Sequence, residues 1–198
     1  MALPKRKKIR YQGFNYCEFG AYFLTICTHN KEKLFWNMDD VYKKKPEKEL
    51  DSIIDRDNLP LTELGKIVEQ NLETWSKTYN NFEMIDYVIM PDHIHLLVAI
   101  VIDEKNPNDN NPNVSRMVAQ FKASVTKQCE KSIWQKSFYD HIIRNEKDFD
   151  ECLKYIESNP QALEYKILEQ RKMLKWNNKL NFTIVGADLW SPASNGMN

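Results

Sequence analysis

Alternating apolar and β-branched residues predict four strands in this chain. The runs cover residues 21–28, 82–90, 93–102 and 133–143. Between these runs, apolar residues recur at intervals of three and four, which predicts two amphipathic helices. The predicted order is therefore β-α-β-β-α-β. The helical positions are Leu64, Ile67, Val68, Leu72 and Trp75 in the first helix, and Val114, Val118, Phe121 and Val125 in the second.

A third helix is predicted after the last strand. Asn145 is suited to cap its first turn, and Asp148 lies near its positive end. We expect this helix to end at Asn159-Pro160, because proline lacks the backbone N–H that continues a helix. The first six elements match the split βαβ pattern. The expected fold class is α+β: a ferredoxin-like split βαβ sandwich, with an antiparallel sheet, helices on one face and an additional C-terminal helix.

The length of 198 residues suits one domain with extensions. We predict a domain over residues 1–165 and a C-terminal extension over residues 166–198. Residues 30–60 are polar and charged, and we interpret them as an insertion or long loop. Hydrophobic residues make up 42% of the chain, which indicates a globular protein.

Composition excludes several classes of protein. The chain has only five glycines and no glycine-rich loop, which argues against a P-loop or a dinucleotide-binding fold. Its four cysteines are widely spaced and form no CxxC pair, so we expect reduced thiols and a cytoplasmic location. The longest apolar run, residues 96–102, is too short to cross a membrane, and the basic start lacks the apolar segment of a secretory signal.

Positive charge is unevenly distributed although the formal net charge is zero. This balance favours a localised basic groove over a broad positive field. Binding of single-stranded nucleic acid requires cations for the phosphates and aromatic rings for the bases. The alternative for each cation is a solvated surface position. The candidate DNA-binding cations are Lys5, Arg6, Lys7, Lys8, Arg10, Arg116, Lys122 and Lys127.

Two of the four histidines, His93 and His95, lie two residues apart in the third predicted strand. Residues at this spacing point to the same face of a strand, so the two imidazoles project side by side. Such a pair can hold a divalent metal ion or polarise a phosphate. The alternative is a pair of half-buried histidines on a sheet.

Tyr155 and Asn159 lie four residues apart and share a face of the third helix. If this helix packs across the histidine strand, two imidazole nitrogens and one amide oxygen form a neutral ligand set with open positions, which suits Mg²⁺ or Mn²⁺. The Tyr155 phenolate is then able to attack a phosphodiester held there. The alternatives are a rim residue for Tyr155 and a helix-terminal cap for Asn159.

The segment YVIMPDHIHLLV, residues 87–98, closely resembles the His-hydrophobe-His (HUH) segment of the single-tyrosine transposases. Segments 134–135, 138–146 and 155–160 resemble the branch of REP-associated tyrosine transposases, as do residues 22–28 and 121–124. The resemblance therefore extends from Tyr22 to Asn159 with several motifs in order.

This resemblance implies a metal-dependent, single-stranded DNA endonuclease and strand transferase of bacterial transposition. Its substrate would be DNA with an imperfect-palindrome hairpin, and its intermediate a 5′-phosphotyrosine. By motif position, the nucleophile would be Tyr155 on a catalytic C-terminal helix, and the metal ligands would be His93, His95 and Asn159. Relatives outside this branch carry Gln in place of Asn159. We expect a monomer, although some relatives are dimers that share active sites.

Three residues near these motifs receive no catalytic role at this point. Asp92 precedes His93 at a position that tolerates several residues. Tyr139 and His141 are rival site residues on the fourth predicted strand, and we expect structural roles for both.

Two other functions remain open. Histidine-triad nucleotide hydrolases also use alternating histidines, but they require a third histidine where this chain has Leu97. A catalytically inactive DNA- or RNA-binding ferredoxin-like module is the second alternative, against which the combination of Tyr155, the histidine pair and Asn159 argues.

Overall fold

A four-stranded sheet forms the centre of the protein in the computed structural model, which describes residues 20–43, 54, 56–75, 77–79, 82–101 and 113–187. The order across the sheet is β2-β3-β1-β4, and each neighbouring pair is antiparallel. The strands β1 and β2 therefore run in the same direction with β3 between them, which is the split βαβ arrangement. The predicted fold class is confirmed. The strands are β1 (Gly20–Cys27), β2 (Phe82–Ile89), β3 (His93–Ile100) and β4 (Tyr139–Ile142).

The two faces of the sheet differ because side chains alternate along each strand. Cross-strand pairing sets Leu24 beside Leu96 and Ile26 beside Ile94, and all four side chains are fully buried. This face is the apolar core. His93, at the start of β3, and the alternate positions after it belong to the opposite face, which we call the histidine face.

The helices α2 (Glu63–Trp75) and α3 (Val114–Cys129) lie over the core face. The Trp75 ring packs against Phe82 of β2 and Phe121 of α3, with centroids 5.0 Å apart in both pairs. Both helices therefore bury the apolar stripes that their spacing predicts. As expected, the two helices share one face of the sheet.

The predicted insertion near residues 30–60 contributes to the core through the residues that the structure describes. It contains a short helix, α1 (Met38–Lys43), and the buried side chains Phe35, Trp36 and Ile54. The indole Nε1 of Trp36 donates a hydrogen bond of 2.7 Å to the carbonyl of Ile89. Residues 44–53 and 55 lie outside the described residues.

The fourth strand is shorter than the predicted run over residues 133–143. Within this run only the residues of β4 form a strand, and Trp134 forms an isolated bridge to Thr28. The Lys122 ammonium of α3 donates hydrogen bonds to the carbonyls of Gln135, at 2.9 Å, and Ser137, at 2.8 Å. Both carbonyls belong to the stretch between Trp134 and β4, where the ladder is interrupted.

The last helix, α4 (Glu146–Ala187), is longer than predicted. Its start is as expected, because the backbone N–H of Asp148 donates to Asn145 Oδ1 at 2.9 Å. The predicted end at Asn159-Pro160 is wrong, since the helix continues through Pro160. A proline removes one backbone hydrogen bond, and the good helix formers that follow it outweigh that loss here.

The chain divides into two units, Met1–Pro160, which contains the sheet, and Gln161–Asn198. The division at residue 165 that the sequence suggests stays a prediction. In the second unit, Tyr165, Met173, Leu174 and Trp176 are exposed on the helix. Within the described ranges, no helix has the length and apolar character that a membrane crossing requires.

Candidate active site

His93 and His95 open strand β3 and project onto the histidine face. Their Nε2 atoms face each other at 3.0 Å. His95 is only 5% exposed, whereas His93 is half-buried. The i, i+2 spacing therefore brings two imidazole nitrogens to one point at the start of the strand.

The other nitrogen of each ring has a protein partner. Nδ1 of His93 lies 2.5 Å from Asp92 Oδ1, and Nδ1 of His95 lies 2.9 Å from Thr25 Oγ1. A carboxylate can only accept, so His93 carries a proton on Nδ1, and its Nε2 shares the 3.0 Å contact with Nε2 of His95. Thr25 Oγ1 can accept as well as donate, which allows His95 the same tautomer.

Electrostatics keep His95 neutral and Asp92 charged. Burial, followed by the neighbouring charge of His93, lowers the pKa of His95 to about 3. Burial alone would raise the pKa of Asp92, but the hydrogen bond and charge of His93 and the charge of Lys31 hold it below its ordinary value. A neutral imidazole and an ionised carboxylate partner are the states that a histidine metal ligand requires.

Helix α4 brings Tyr155 to the same face. The Tyr155 ring meets His95 edge-on, with centroids 5.2 Å apart, and meets Phe23 edge-on at 5.8 Å. Phe23 in turn stacks on His95 at 5.1 Å. Tyr155 remains 51% exposed, so its ring is oriented by two neighbours and is still accessible from solvent.

Asn159 lies one helical turn beyond Tyr155 and is half-buried. The four-residue spacing sets both side chains on one face of α4. Among the hydrogen bonds of the described residues, none joins Asn159 to either histidine. The structure therefore brings Tyr155 to the histidine pair directly, whereas a position of Asn159 beside the pair stays a prediction.

Sequence reasoning missed three residues of this site, namely Asp92, Thr25 and Phe23. Thr25 and Phe23 belong to β1, where alternation sets them on one face, but their contact with His95 depends on the pairing of β1 with β3. The only local signal was the carboxylate of Asp92 directly before His93.

The rival residues Tyr139 and His141 also lie on the histidine face, since they pair with Thr25 and Phe23 respectively. Tyr139 is 48% exposed. His141 Nε2 lies 2.8 and 3.0 Å from the two carboxylate oxygens of Asp148, which joins β4 to the first turn of α4. With Cys152 these two form a group whose ligand atoms lie within 4.8 Å of one another, a second set of metal-ligating residue types.

The candidate DNA-binding cations are dispersed. Arg116 and Lys127 are exposed on α3, which covers the core face, so the sheet separates them from the histidine pair. The Lys122 ammonium is occupied by two backbone carbonyls, and burial lowers its pKa to about 8. The basic run at residues 5–10 lies outside the described residues.

The part of the chain that contains the histidine face is similar to known proteins. A family model described as "Transposase IS200 like" matches residues 22–159. An uncharacterized protein of Haemophilus influenzae is 29% identical over 174 residues, 78% of this chain and 88% of that protein. A REP-associated tyrosine transposase of Escherichia coli K12 is 34% identical over 80 residues, 40% of this chain and 44% of that protein. A solved REP-associated tyrosine transposase bound to a REP hairpin superposes with a TM-score of 0.47 and 21% identity, over 72% of this chain and 67% of that one.

Proposed function

The chain belongs to the family of IS200-like transposases, and on that premise we propose that it is a metal-dependent endonuclease and strand transferase for single-stranded DNA. In this proposal Tyr155 is the nucleophile, and His93, His95 and Asn159 hold the cation. The observation that carries the proposal is the contact between the rings of Tyr155 and His95, whose centroids lie 5.2 Å apart. An exposed phenol beside paired imidazoles has the parts that tyrosine-dependent DNA cleavage requires.

A divalent cation fits the donors on the histidine face. The Nε2 atoms of His93 and His95 lie 3.0 Å apart and would both be able to bind one cation. Asn159 would add an amide oxygen, and this donor set suits Mg²⁺ or Mn²⁺. A bound cation neutralises negative charge on the phosphoryl oxygens of a phosphodiester.

The partners of the histidines support the same assignment. Asp92 accepts from Nδ1 of His93 and fixes the orientation of its ring. Thr25 contacts the corresponding nitrogen, Nδ1, of His95, and Phe23 stacks on the His95 ring. Histidine ligands typically use their second nitrogen in this way. The donor atoms are therefore held before any ligand arrives.

Cleavage in this proposal is a single displacement. The phenol oxygen of Tyr155 attacks phosphorus, and the new O–P bond forms as the bond from phosphorus to the 3′ oxygen breaks. The phenol proton passes to solvent, and the departing 3′ oxygen takes up a proton. The products are a 5′-phosphotyrosine and a free 3′-OH.

Strand transfer reverses this displacement with another DNA end. A 3′-OH attacks the phosphorus of the 5′-phosphotyrosine, the new phosphodiester forms, and the Tyr155 oxygen leaves and regains a proton. The covalent link preserves the phosphodiester bond energy between the two steps, so no nucleotide cofactor is required.

The proposed substrate is a single strand that carries an imperfect-palindrome hairpin. The support is the resemblance of residues 22–159 to the REP-associated branch and the name of the Escherichia coli relative. A monomer has both catalytic parts, because Tyr155 contacts His95 of its own chain.

The test uses a pool of fluorescently labelled single strands that carry hairpins with varied flanking bases, incubated with the purified protein and Mn²⁺. We expect a covalent protein–DNA adduct that survives denaturing electrophoresis and is absent in EDTA. Tyr155→Phe should lose the adduct and keep DNA binding. Tyr139→Phe is the matched control, since Tyr139 is similarly exposed on the same face, and it should still form the adduct.

Two outcomes would contradict the proposal. If Tyr155→Phe formed the adduct and Tyr139→Phe did not, the nucleophile would be Tyr139 of β4 and not Tyr155. DNA binding by the wild type without any adduct across the pool would favour the inactive binding module.

A further inference from the structure

The ammonium of Lys31 contacts a cysteine thiol at one end of the histidine face. Its Nζ lies 3.0 Å from Cys27 Sγ, and Cys27 pairs with His93 across the sheet. Paired residues share a face, so the ammonium lies at the end of the histidine face. None of the ion pairs among the described residues includes Lys31. The positive charge is therefore not neutralised by a carboxylate contact.

The backbone holds Lys31 in an uncommon conformation. Asn30 and Lys31 have φ values of 50° and 58°, in the left-handed region that lysine rarely adopts. Thr28 fixes the turn, since its hydroxyl lies 2.9 Å from the carbonyl of Asp92 and 2.8 Å from that of Glu32. The strained turn therefore directs Lys31 back toward the histidine pair, and strain of this kind clusters at functional sites.

His95, Thr25 and Tyr139 lie in one row across the histidine face. Thr25 pairs with His95 on one side and with Tyr139 on the other. Adjacent strands are about 4.8 Å apart, so the row extends about 10 Å from the histidine to the tyrosine. Tyr139 is 48% exposed and lies on the edge strand β4. A large aromatic ring is thus presented to solvent two strands away from His95.

Lys31 and Tyr139 adjoin successive positions of β1 on the histidine face, because the Lys31 ammonium contacts Cys27 and Tyr139 pairs with Thr25. Partial burial lowers the pKa of Lys31, but the hydrogen bond to Cys27 and the charges of Cys27, Asp92 and Tyr139 outweigh it and hold the pKa above its ordinary value. The Asp92 carboxylate is already engaged by His93. Lys31 therefore stays protonated at neutral pH, and it contacts a residue of β1 two positions from the one that pairs with the exposed Tyr139.

From this juxtaposition we infer that Lys31 and Tyr139 form a one-nucleotide subsite for single-stranded DNA, next to the histidine pair. Lys31 binds the phosphate, and Tyr139 stacks on the base. A lysine ammonium is a point charge for phosphate, and stacking on an aromatic ring accepts any base. The inference rests on the proposed function, because it names the part of the substrate that adjoins the scissile phosphate.

The experiment measures binding without cleavage. The parent is Tyr155→Phe in EDTA, and the probe is a fluorescein-labelled single strand of about 12 thymidines, followed by anisotropy over a salt series. Adding Lys31→Gln should weaken binding and reduce the salt slope by about 0.7, the value for one lost phosphate contact on a single strand. Adding Tyr139→Ala should weaken binding by about 5- to 150-fold, the effect of one lost stacked base.

Conservative and control variants separate this role from a structural one. Lys31→Arg and Tyr139→Phe should bind as the parent does, since they keep the charge and the ring. Lys33→Gln is the matched control, because Lys33 is exposed nearby and its Nζ lies 3.4 Å from the Tyr42 hydroxyl. It should leave the salt slope unchanged. Circular dichroism checks that each variant is folded.

The outcomes distinguish this inference from the proposed function. If the wild type forms the adduct and both Lys31→Gln and Tyr139→Ala bind like the parent, the subsite is wrong and the proposed function stands. If Tyr139→Phe abolishes the adduct, the hydroxyl acts chemically and the stacking role is overturned. If the parent does not bind the thymidine strand while the wild type forms the adduct, the subsite is wrong and the proposed function stands; if the wild type forms no adduct either, both proposals fall.

Discussion

Asp92 Oδ1 lies 2.5 Å from Nδ1 of His93, while Nε2 of the same ring faces His95 at 3.0 Å. One imidazole thus has a carboxylate at one nitrogen and a second imidazole at the other. This arrangement fixes the ring and its tautomer before any cation or DNA is bound.

The first prediction concerns this carboxylate. Asp92→Asn removes the charged acceptor of His93, so we expect the affinity for Mn²⁺ to fall by about 10- to 100-fold. Isothermal titration calorimetry measures the change. Asp150→Asn, at an exposed position of α4, is the control and should bind Mn²⁺ like the wild type. Equal affinities for the two variants would show that Asp92 does not support the proposed metal ligands.

The second prediction concerns the ring of Phe23, which contacts both His95 and Tyr155. Phe23→Leu removes the stacking surface, and a slight displacement of a reacting group costs up to about 100-fold in rate. We expect adduct formation to slow by about 10- to 100-fold, with the affinity for Mn²⁺ within about threefold. Phe23→Tyr keeps the ring and should retain the rate. A rate unchanged by Phe23→Leu would exclude this orienting role.

The third prediction concerns Lys122, whose ammonium binds the carbonyls of Gln135 and Ser137. Lys122→Met keeps the aliphatic chain and removes both hydrogen bonds, so the free energy of unfolding should fall by about 1–3 kcal/mol. Denaturant unfolding measures it. Lys127→Met, on the same helix but exposed, should change stability by no more than about 0.5 kcal/mol. A similar effect of both substitutions would mean that the two carbonyls do not depend on Lys122.

The fourth prediction is the pH dependence of this lysine. Burial lowers the pKa of Lys122 to about 8, whereas the unfolded chain keeps the ordinary value of 10.5. The unfolded state therefore binds the proton more tightly, and the contribution of Lys122 to the free energy of unfolding rises with pH between about 8 and 10.5. Unfolding of the wild type and of Lys122→Met across this window should show the rise only in the wild type. Parallel pH profiles would contradict the lowered pKa.

The sequence by itself determined the order of elements and the local faces. Alternation in β3 sets His93 and His95 on one side, and helical spacing aligns Tyr155 with Asn159, because both periods follow from backbone geometry alone. Local rules failed where a distant contact or neighbouring residues outweighed them. Lys122 of α3 binds two carbonyls where the predicted fourth strand is interrupted, and the residues after Pro160 continue α4.

Only the tertiary structure decided which of these faces meet. The contact of Thr25 with His95 joins residues 70 positions apart and depends on the register of β1 against β3. Lys122 and Tyr155 both looked like candidates for one DNA site, yet α3 lies over the core face and α4 brings Tyr155 to the histidine face. Strand register and the side on which a helix packs are set by long-range burial of apolar surface, which has no period along the chain.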